Sequence, residues 1–400
     1  MRRLAAALTA LTLLAAAPVC GQGTLVRGEA SLVAVASNAS EANRQLAVRF
    51  IPEFGTGFRL SGGWAFDGAV AATATAGASY FSGRQVSSSR DVGLHRAWVR
   101  LSSPRFELRA GLQKISFGSS SLFRPLMWFD RVDPRDPTQY SEGVYALLAR
   151  YASARNHSLW AWALYGNDDA RGWDTWGTRP RTPEFGGRGQ LALPRGEVAA
   201  TYHRRRASVG LPPSALLGAT PGLSAAAPVV GAPTPGTQAA LVSAPEDRIG
   251  ADAKFDIGPG VWLEAAYTRT DSAAVRRRWQ PAFSVGIDYT FGIGNGLTLL
   301  AEHFQLDPSV PVGTGRSQVK LSALTGTYPL GAADSLSGIV YYEWNREDVF
   351  RFVEWRRTWD HWRLHVIGFW NPSRASVFSA RAQTSALTGR GAELAVVASY

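Results

Sequence analysis

From Phe283 to Phe291 every second residue is apolar: Phe283, Val285, Ile287, Tyr289 and Phe291 alternate with Ser284, Gly286, Asp288 and Thr290. The same period recurs elsewhere. Ile249, Ala251, Ala253, Phe255 and Ile257 alternate with Asp252, Lys254 and Asp256; Val261, Leu263, Ala265 and Tyr267 alternate with Glu264 and Thr268. Arg96, Trp98 and Arg100 alternate with Ala97, Val99 and Leu101. After Ser102-Ser103-Pro104, Arg105, Glu107, Arg109 and Gln113 alternate with Phe106, Leu108, Ala110 and Leu112. A strand sends successive side chains to opposite faces, so each segment reads as a strand with one apolar and one polar face. A length of about ten residues is what a tilted strand needs to cross a bilayer. Helical periodicity is absent beyond the N-terminal segment, apart from room for one short helix within 120–140.

The connections alternate in length. Gly258-Pro259-Gly260, Gly294-Asn295-Gly296 and Pro194-Arg195-Gly196 are tight turns, whereas Ser116 to Gly143 and Ala207 to Asp247 are long. Some 18 strands are expected, within a range of 16–18. They lie near 24–36, 44–55, 62–80, 93–102, 105–115, 143–151, 156–166, 185–193, 196–206, 248–257, 260–269, 281–292, 296–305, 318–328, 335–345, 349–358 and 361–370, with one or two more in 375–400. Short turns at one end and long loops at the other are the layout of an all-β, transmembrane antiparallel β-barrel. Its long loops would be extracellular and its short turns periplasmic. The stretch 207–247, rich in Pro, Ala, Gly, Ser and Thr, is expected to be a long mobile loop.

The chain opens MRRLAAALTALTLLAAAPVCGQG. Two arginines, a short apolar run and small residues read as a secretory signal peptide over 1–21, cut after Gly21, with the barrel domain over 22–400. Cys20 also allows a lipoprotein reading, to which Val19 is poorly suited. With the cut beyond Cys20 no cysteine remains, so disulfides do not hold the chain together. Stability must then come from a large core or a closed sheet, and a closed sheet also removes exposed strand edges. The formal net charge is +11, carried almost wholly by arginine; the lysines are Lys114, Lys254 and Lys320. A basic balance suits an anionic partner such as lipopolysaccharide or an anionic solute. The export signal argues against nucleic acid.

At the C-terminus Leu394, Val396, Ala398 and Tyr400 alternate and the chain ends on the aromatic. This resembles the terminal strand that outer-membrane assembly machinery recognises. Trp344, Trp355, Trp359, Trp362 and Trp370 cluster near strand ends, as interfacial girdle residues do. In a soluble sandwich the arginine face would point to bulk water and the apolar face to a core. In a barrel the apolar face meets lipid and the arginines line the lumen. Arg96, Arg100, Arg105, Glu107 and Arg109 are therefore expected pore-lining residues, singly as wall ion pairs and together as an anion-favouring field. The loop after Gly118, SSSLFRPLMWFDRVDPRDPTQYSEG, carries Leu126, Met127, Trp128 and Phe129. Residues so apolar pack onto something, and the expectation is that 119–142 folds inward as a constriction. Arg124, Asp130, Arg131 and Arg135 are its candidate selectivity residues. Its aspartates lack the spacing of an EF-hand calcium loop.

The segment Arg109 to Gly118, "RAGLQKISFG", resembles the glycine-arginine-glutamine … phenylalanine-glycine strand of porin-like barrels in the alginate-export family and its relatives, with Leu112 where that family carries arginine. Pro183 to Arg205 is also similar to a segment of such barrels. The resemblance implies a barrel in the cell outer membrane, an inward loop after that strand and a transport role. Enzyme readings find little purchase. The histidines are His95, His157, His203, His303, His361 and His365, and His-Glu-x-x-His, Gly-x-Ser-x-Gly and phosphate-binding motifs are absent from the sequence. The expectation is a non-enzymatic porin, monomeric or trimeric, that needs no cofactor and passes small hydrophilic, mainly anionic solutes. The alternatives are a non-conducting structural or adhesive barrel, or a barrel enzyme.

Overall fold

The computed structural model describes residues 23–39, 42–130, 136–138, 140–210, 241–273, 275, 278–308, 318–373 and 387–400. The signal segment, Arg131, Arg135 and most of the 207–247 connection lie outside them. The described strands are β1 (Thr24–Ser37), β2 (Arg44–Arg59), β3 (Ala65–Phe81), β4 (Arg84–Ser102), β5 (Phe106–Gln113) and β6 (Val144–Ala152). They continue with β7 (Ser158–Leu164), β8 (Glu184–Leu193), β9 (Gly196–Gly210), β10 (Leu241–Asp256), β11 (Gly260–Thr270) and β12 (Trp279–Phe291). The last six are β13 (Leu297–Leu306), β14 (Val319–Pro329), β15 (Asp334–Glu343), β16 (Asp348–Thr358), β17 (Trp362–Trp370) and β18 (Arg390–Ser399).

Each strand pairs antiparallel with its sequence neighbours, and β1 pairs with β18, so the 18-stranded sheet closes on itself. The start of β1 and the end of β18 meet at one rim. At that rim the connections 60–64, 103–105, 153–157, 194–195, 257–259, 292–296, 330–333 and 359–361 are all short. The opposite rim carries 114–143, 165–183, 211–240, 307–318 and 371–389. That asymmetry is the one expected of an outer-membrane barrel.

The two-residue period has the predicted consequence. Leu263, Val285, Leu324 and Leu394 point outward with about half of their surface exposed (51%, 47%, 53% and 44%), while their chain neighbours Glu264, Ser284, Ala323 and Ala395 are buried inside. Trp344 and Trp370 lie at the long-loop rim of the outer face, and Trp359 in a short turn at the other; all three are exposed. An indole suits such a boundary because its body is apolar and its N–H polar.

Strand ends depart from expectation where composition hid them. β9 and β10 run into the Pro/Ala-rich connection, pairing Ala207 with Ala244 and Val209 with Val242. Ala207, Val209, Ala244 and Val275 pack beneath Trp176, which repays extending two strands whose sequence reads as loop. β4 begins at Arg84 rather than near 93, because the polar run Arg84–Asp91 pairs along β3 in a hairpin that rises beyond its other neighbour. One strand, not two, occupies the last described segment, which makes the count even. No helix forms in the described part of 120–140.

The seam between first and last strands is sealed by the terminal aromatic. Gly28 and Tyr400 exchange backbone hydrogen bonds of 2.9 and 3.1 Å. The Tyr400 ring lies where a Cβ on residue 28 would be and stacks on Phe50 at 6.2 Å. An aromatic laid over a glycine restores apolar cover that the glycine lacks. Tyr400→Ala is expected to lower the folded fraction after refolding into vesicles, read from gel mobility without heating. Equal folded fractions would argue against a sealing role.

Candidate functional site: the inward loop and the lumen

The loop that follows β5 does not stay at the rim. Gln113, fully buried, starts it by donating from Nε2 to the Ala146 carbonyl at 3.0 Å. The chain then crosses the lumen to the wall made by β10, β11 and β13. There, Ser119 Oγ donates to Asp252 at 2.9 Å. Glu264 accepts the amide of Ser120 at 2.9 Å and, on its other oxygen, that of Leu126. Glu302 accepts the amides of Ser121, Leu122 and Phe123 at 2.9, 3.3 and 2.7 Å, and the Trp262 indole N–H at 3.1 Å. Two inward carboxylates thus hold five loop amides, which leaves neither partner unsatisfied in a dry interior.

Apolar packing reinforces this latch. Phe123 stacks on Phe304 at 5.6 Å and meets Tyr341 edge-on at 6.0 Å. Trp173, from the 165–183 loop, stacks on Phe304 at 4.3 Å and donates to the Phe123 carbonyl at 2.6 Å. Gly172, with φ of +51°, lets that second loop pass; a Cβ there would collide with the Met127 carbonyl. Phe117, Trp128, Phe129 and Trp162 form the other half of the cluster. The loop then returns to the opposite wall. Arg49 donates to Thr138 Oγ1 at 2.8 Å and lies 4.2 Å over the Tyr140 ring, whose other neighbour is His95 at 5.2 Å. Arg96 Nη2 donates to the Ser141 carbonyl at 2.7 Å. Burial pushes the Tyr140 hydroxyl above its ordinary range.

The charges of the two walls differ sharply in hydration. On β8–β11, together with Asp174 and Arg171 of the second loop, the ion pairs are dry. Arg205 and Glu246 keep 2% and 3% of their side-chain surface, and Arg188 and Asp252 3% and 1%. Arg171–Glu184, His203–Glu184 and Arg248–Asp174 belong to the same buried set, at 2.9, 3.0 and 2.7 Å. On the wall around β1–β6 the pairs are wet. Arg100 keeps 33% and Asp67 24%, Arg150 28% and Glu107 20%, and Arg363 38% against 27% for Glu29.

The predicted residues fall into three groups. Arg100, Glu107 and Arg109 come together on the inner wall: Glu107 receives Arg100 at 3.5 Å, Arg109 at 3.2 Å and Arg150 at 3.7 Å. Arg109 lies 4.7 Å over Trp98, and Arg150 3.9 Å over Trp160. Arg96 faces inward but is tied to the loop. Arg105 is not with them: it sits in the exposed turn between β4 and β5, because Pro104 ends the pairing before the alternation resumes. Arg124 and Asp130 shape the loop itself. They pair at 3.2 Å, and Arg124 also donates to Ser116 Oγ at 2.6 Å and to the Phe117 carbonyl. Their charges are paired inside the loop.

Glu264, Glu302, Asp252, Glu246 and Arg248 were not among the expected site residues. Their alternation marks Asp252 and Glu264 as inward, but the loop donors they meet, the Ser119 hydroxyl and the amides of Ser120 and Leu126, lie more than a hundred residues away in the chain. Among the described residues no group of three or more His, Cys, Asp or Glu side chains is placed to hold a metal.

No protein-family model matches the sequence, and no curated protein matches it. Solved structures do match in shape. OmpT of Vibrio cholerae, an outer membrane protein in its trimer form, aligns over 95% of this chain and 99% of its own with 12% identity and a TM-score of 0.51. Wzi of Escherichia coli, an outer membrane protein involved in group 1 capsule assembly and described as a carbohydrate-binding β-barrel, aligns over 93% and 83% with 12% identity and a TM-score of 0.52. At such identities shape is the shared property, and the closed sheet, lipid-facing belt and rim asymmetry agree with it: the chain has the fold of the outer-membrane β-barrel proteins.

Proposed function

We propose that the protein is an outer-membrane channel of narrowed bore, passing small hydrophilic solutes with a bias to anions. The difference in hydration between the two walls carries this reading. The buried ion pairs of β8–β11, with the apolar cluster that spreads over β6, β7 and β11–β17, are a packed core. The partly hydrated pairs of β1–β6, joined by Arg363 of β17, mark where water reaches, so the path runs along that wall between it and the inward loop. Arg27, Arg49, Arg96, Arg100, Arg109, Arg150 and Arg363 line it against Glu29, Glu53, Asp67, Glu107 and Asp136, an excess of positive charge. A cationic lining in a narrow, low-dielectric passage favours anions. Transport of this kind needs no cofactor and no catalytic group. The same reading includes export by the 1–21 leader, insertion through recognition of the strand ending at Tyr400, and a lipopolysaccharide surround.

Single-channel conductance under a salt gradient tests it. Wild type is expected to give stable steps with an anion-biased reversal potential. Arg100→Glu with Arg109→Glu and Arg150→Glu is expected to move that potential toward cation preference; an unmoved potential would place the path elsewhere. A second reading, a non-conducting barrel, is favoured by the apolar cluster that joins Ile115, Phe117, Phe123 and Trp128 to Phe304, Phe352 and Phe369 across the lumen. Silence from protein shown to be folded would select it.

A further inference from the structure

One polar group on the lipid-facing surface has no part in the channel. His303 of β13 and Ser322 of β14 stand opposite each other in the ladder, both one position from inward residues and so on the outer face. Their row continues to the exposed Val285 on one side and to Tyr342 on the other. His303 Nδ1 lies 2.9 Å from Ser322 Oγ, and the Trp344 indole N–H donates to the same oxygen at 2.9 Å. An indole N–H can only donate. No other partner for Ser322 Oγ occurs among the described residues, so in the imidazole tautomer that leaves Nδ1 unprotonated the serine donates to His303 Nδ1. The result is a serine whose proton is aimed at an imidazole and whose oxygen is steadied by a second donor, the geometry of an activated nucleophile.

The position is as specific as the geometry. β13 ends three residues after His303, β14 begins three residues before Ser322, and Trp344 directly follows β15. The group therefore lies at the long-loop rim, at the level of an interfacial tryptophan, where lipid ester carbonyls meet water. Lys320 shares the outer face of β14, two residues before Ser322. Polar side chains on a lipid face are costly, and in a membrane protein they point to function.

We propose that Ser322 and His303 form an acyl-transfer site for ester-linked lipids of the outer leaflet. Ser322 Oγ bonds to the ester carbonyl carbon as its proton passes to His303 Nδ1. The carbon–oxygen bond to the glycerol breaks, and the leaving oxygen takes that proton. Interfacial water then attacks the acyl-serine, gives a proton to His303, and releases the fatty acid as Ser322 recovers its own. Trp344 positions the nucleophile, and Lys320 supplies positive charge on the face where the oxyanion forms.

The refolded full-length protein in phosphatidylethanolamine vesicles, treated with a long-chain fluorophosphonate, tests this. Covalent label on Ser322, located by peptide mass spectrometry, is expected in wild type. It should be absent in Ser322→Ala and reduced at least tenfold in His303→Ala, with lysophospholipid released by wild type alone. An unlabelled Ser322 in a barrel that still migrates as folded overturns the site, as does labelling undiminished in His303→Ala. Labelling without lysophospholipid release overturns the lipid substrate.

Discussion

Replacing Glu264 and Glu302 together by alanine is expected to open the channel and loosen the barrel in one step. The two carboxylates hold the amides of Ser120, Ser121, Leu122, Phe123 and Leu126, and both are almost completely buried. Their removal strips the crossing loop of its charged acceptors and leaves those amides to find water. Hydrogen bonds to charged groups contribute about 1.5–3 kcal/mol each, and a buried unsatisfied amide costs about 1–3 kcal/mol, so the loss exceeds what Phe123 packing alone retains. Released from the β10–β13 wall, residues 119–126 no longer narrow the bore, and unit conductance rises while thermal stability falls. Planar-bilayer recording and thermal melts of the same preparation measure both. Lower stability with an unchanged conductance step would mean that the loop anchors the fold without limiting the path. The single Glu302→Gln change keeps the shape but turns half of the acceptor into a donor, and a smaller change in the same direction is expected.

The barrel was legible because its information is local. The alternation at 249–257, 261–268 and 283–291 states which residues face lipid without reference to any partner, and Gly258-Pro259-Gly260 states where the chain turns back. The alternation that ends on Tyr400 marked a terminal strand for the same reason, whereas its pairing with β1 came only with the structure. Strand ends were not, where pairing rather than composition decides: Arg84–Asp91 is polar but for Val86 and becomes a strand only beside β3. The inward loop lies between these cases. Leu126 to Phe129 announces that the segment must be covered, but the cover comes from Gly250, Trp162 and His203, whose identity depends on the global fold. The same limit explains why Arg124 and Asp130, read as selectivity residues, pair with each other. A charge in a loop sequence does not say whether it meets solute or its own backbone. It also explains the split between arginines: the sequence presents Arg205 and Arg109 alike, and only the packing of the second loop makes one dry and the other wet.

That split sets a second large effect. Glu246 accepts Arg205 Nε at 2.6 Å, Arg248 at 2.7 Å and Thr270 Oγ1 at 2.9 Å, and all of these groups are buried. Glu246→Ala leaves two buried guanidinium groups sharing Asp174 alone. Breaking a buried pair by removing one partner costs about 3–5 kcal/mol, because the remaining charge keeps its desolvation penalty without its counter-charge. The wet wall offers the control. Arg27 pairs with Glu53 while keeping 57% of its side-chain surface exposed. Exposed pairs contribute about 0–1 kcal/mol, so Arg27→Ala is expected to leave stability almost unchanged. Urea unfolding in vesicles, followed by tryptophan fluorescence, compares the two variants directly. A large loss for Glu246→Ala beside a negligible one for Arg27→Ala follows if the β8–β11 wall is a dry structural core and water runs along β1–β6. Equal effects would mean that water reaches both walls, and the path would then belong to the whole lumen rather than to one side of it.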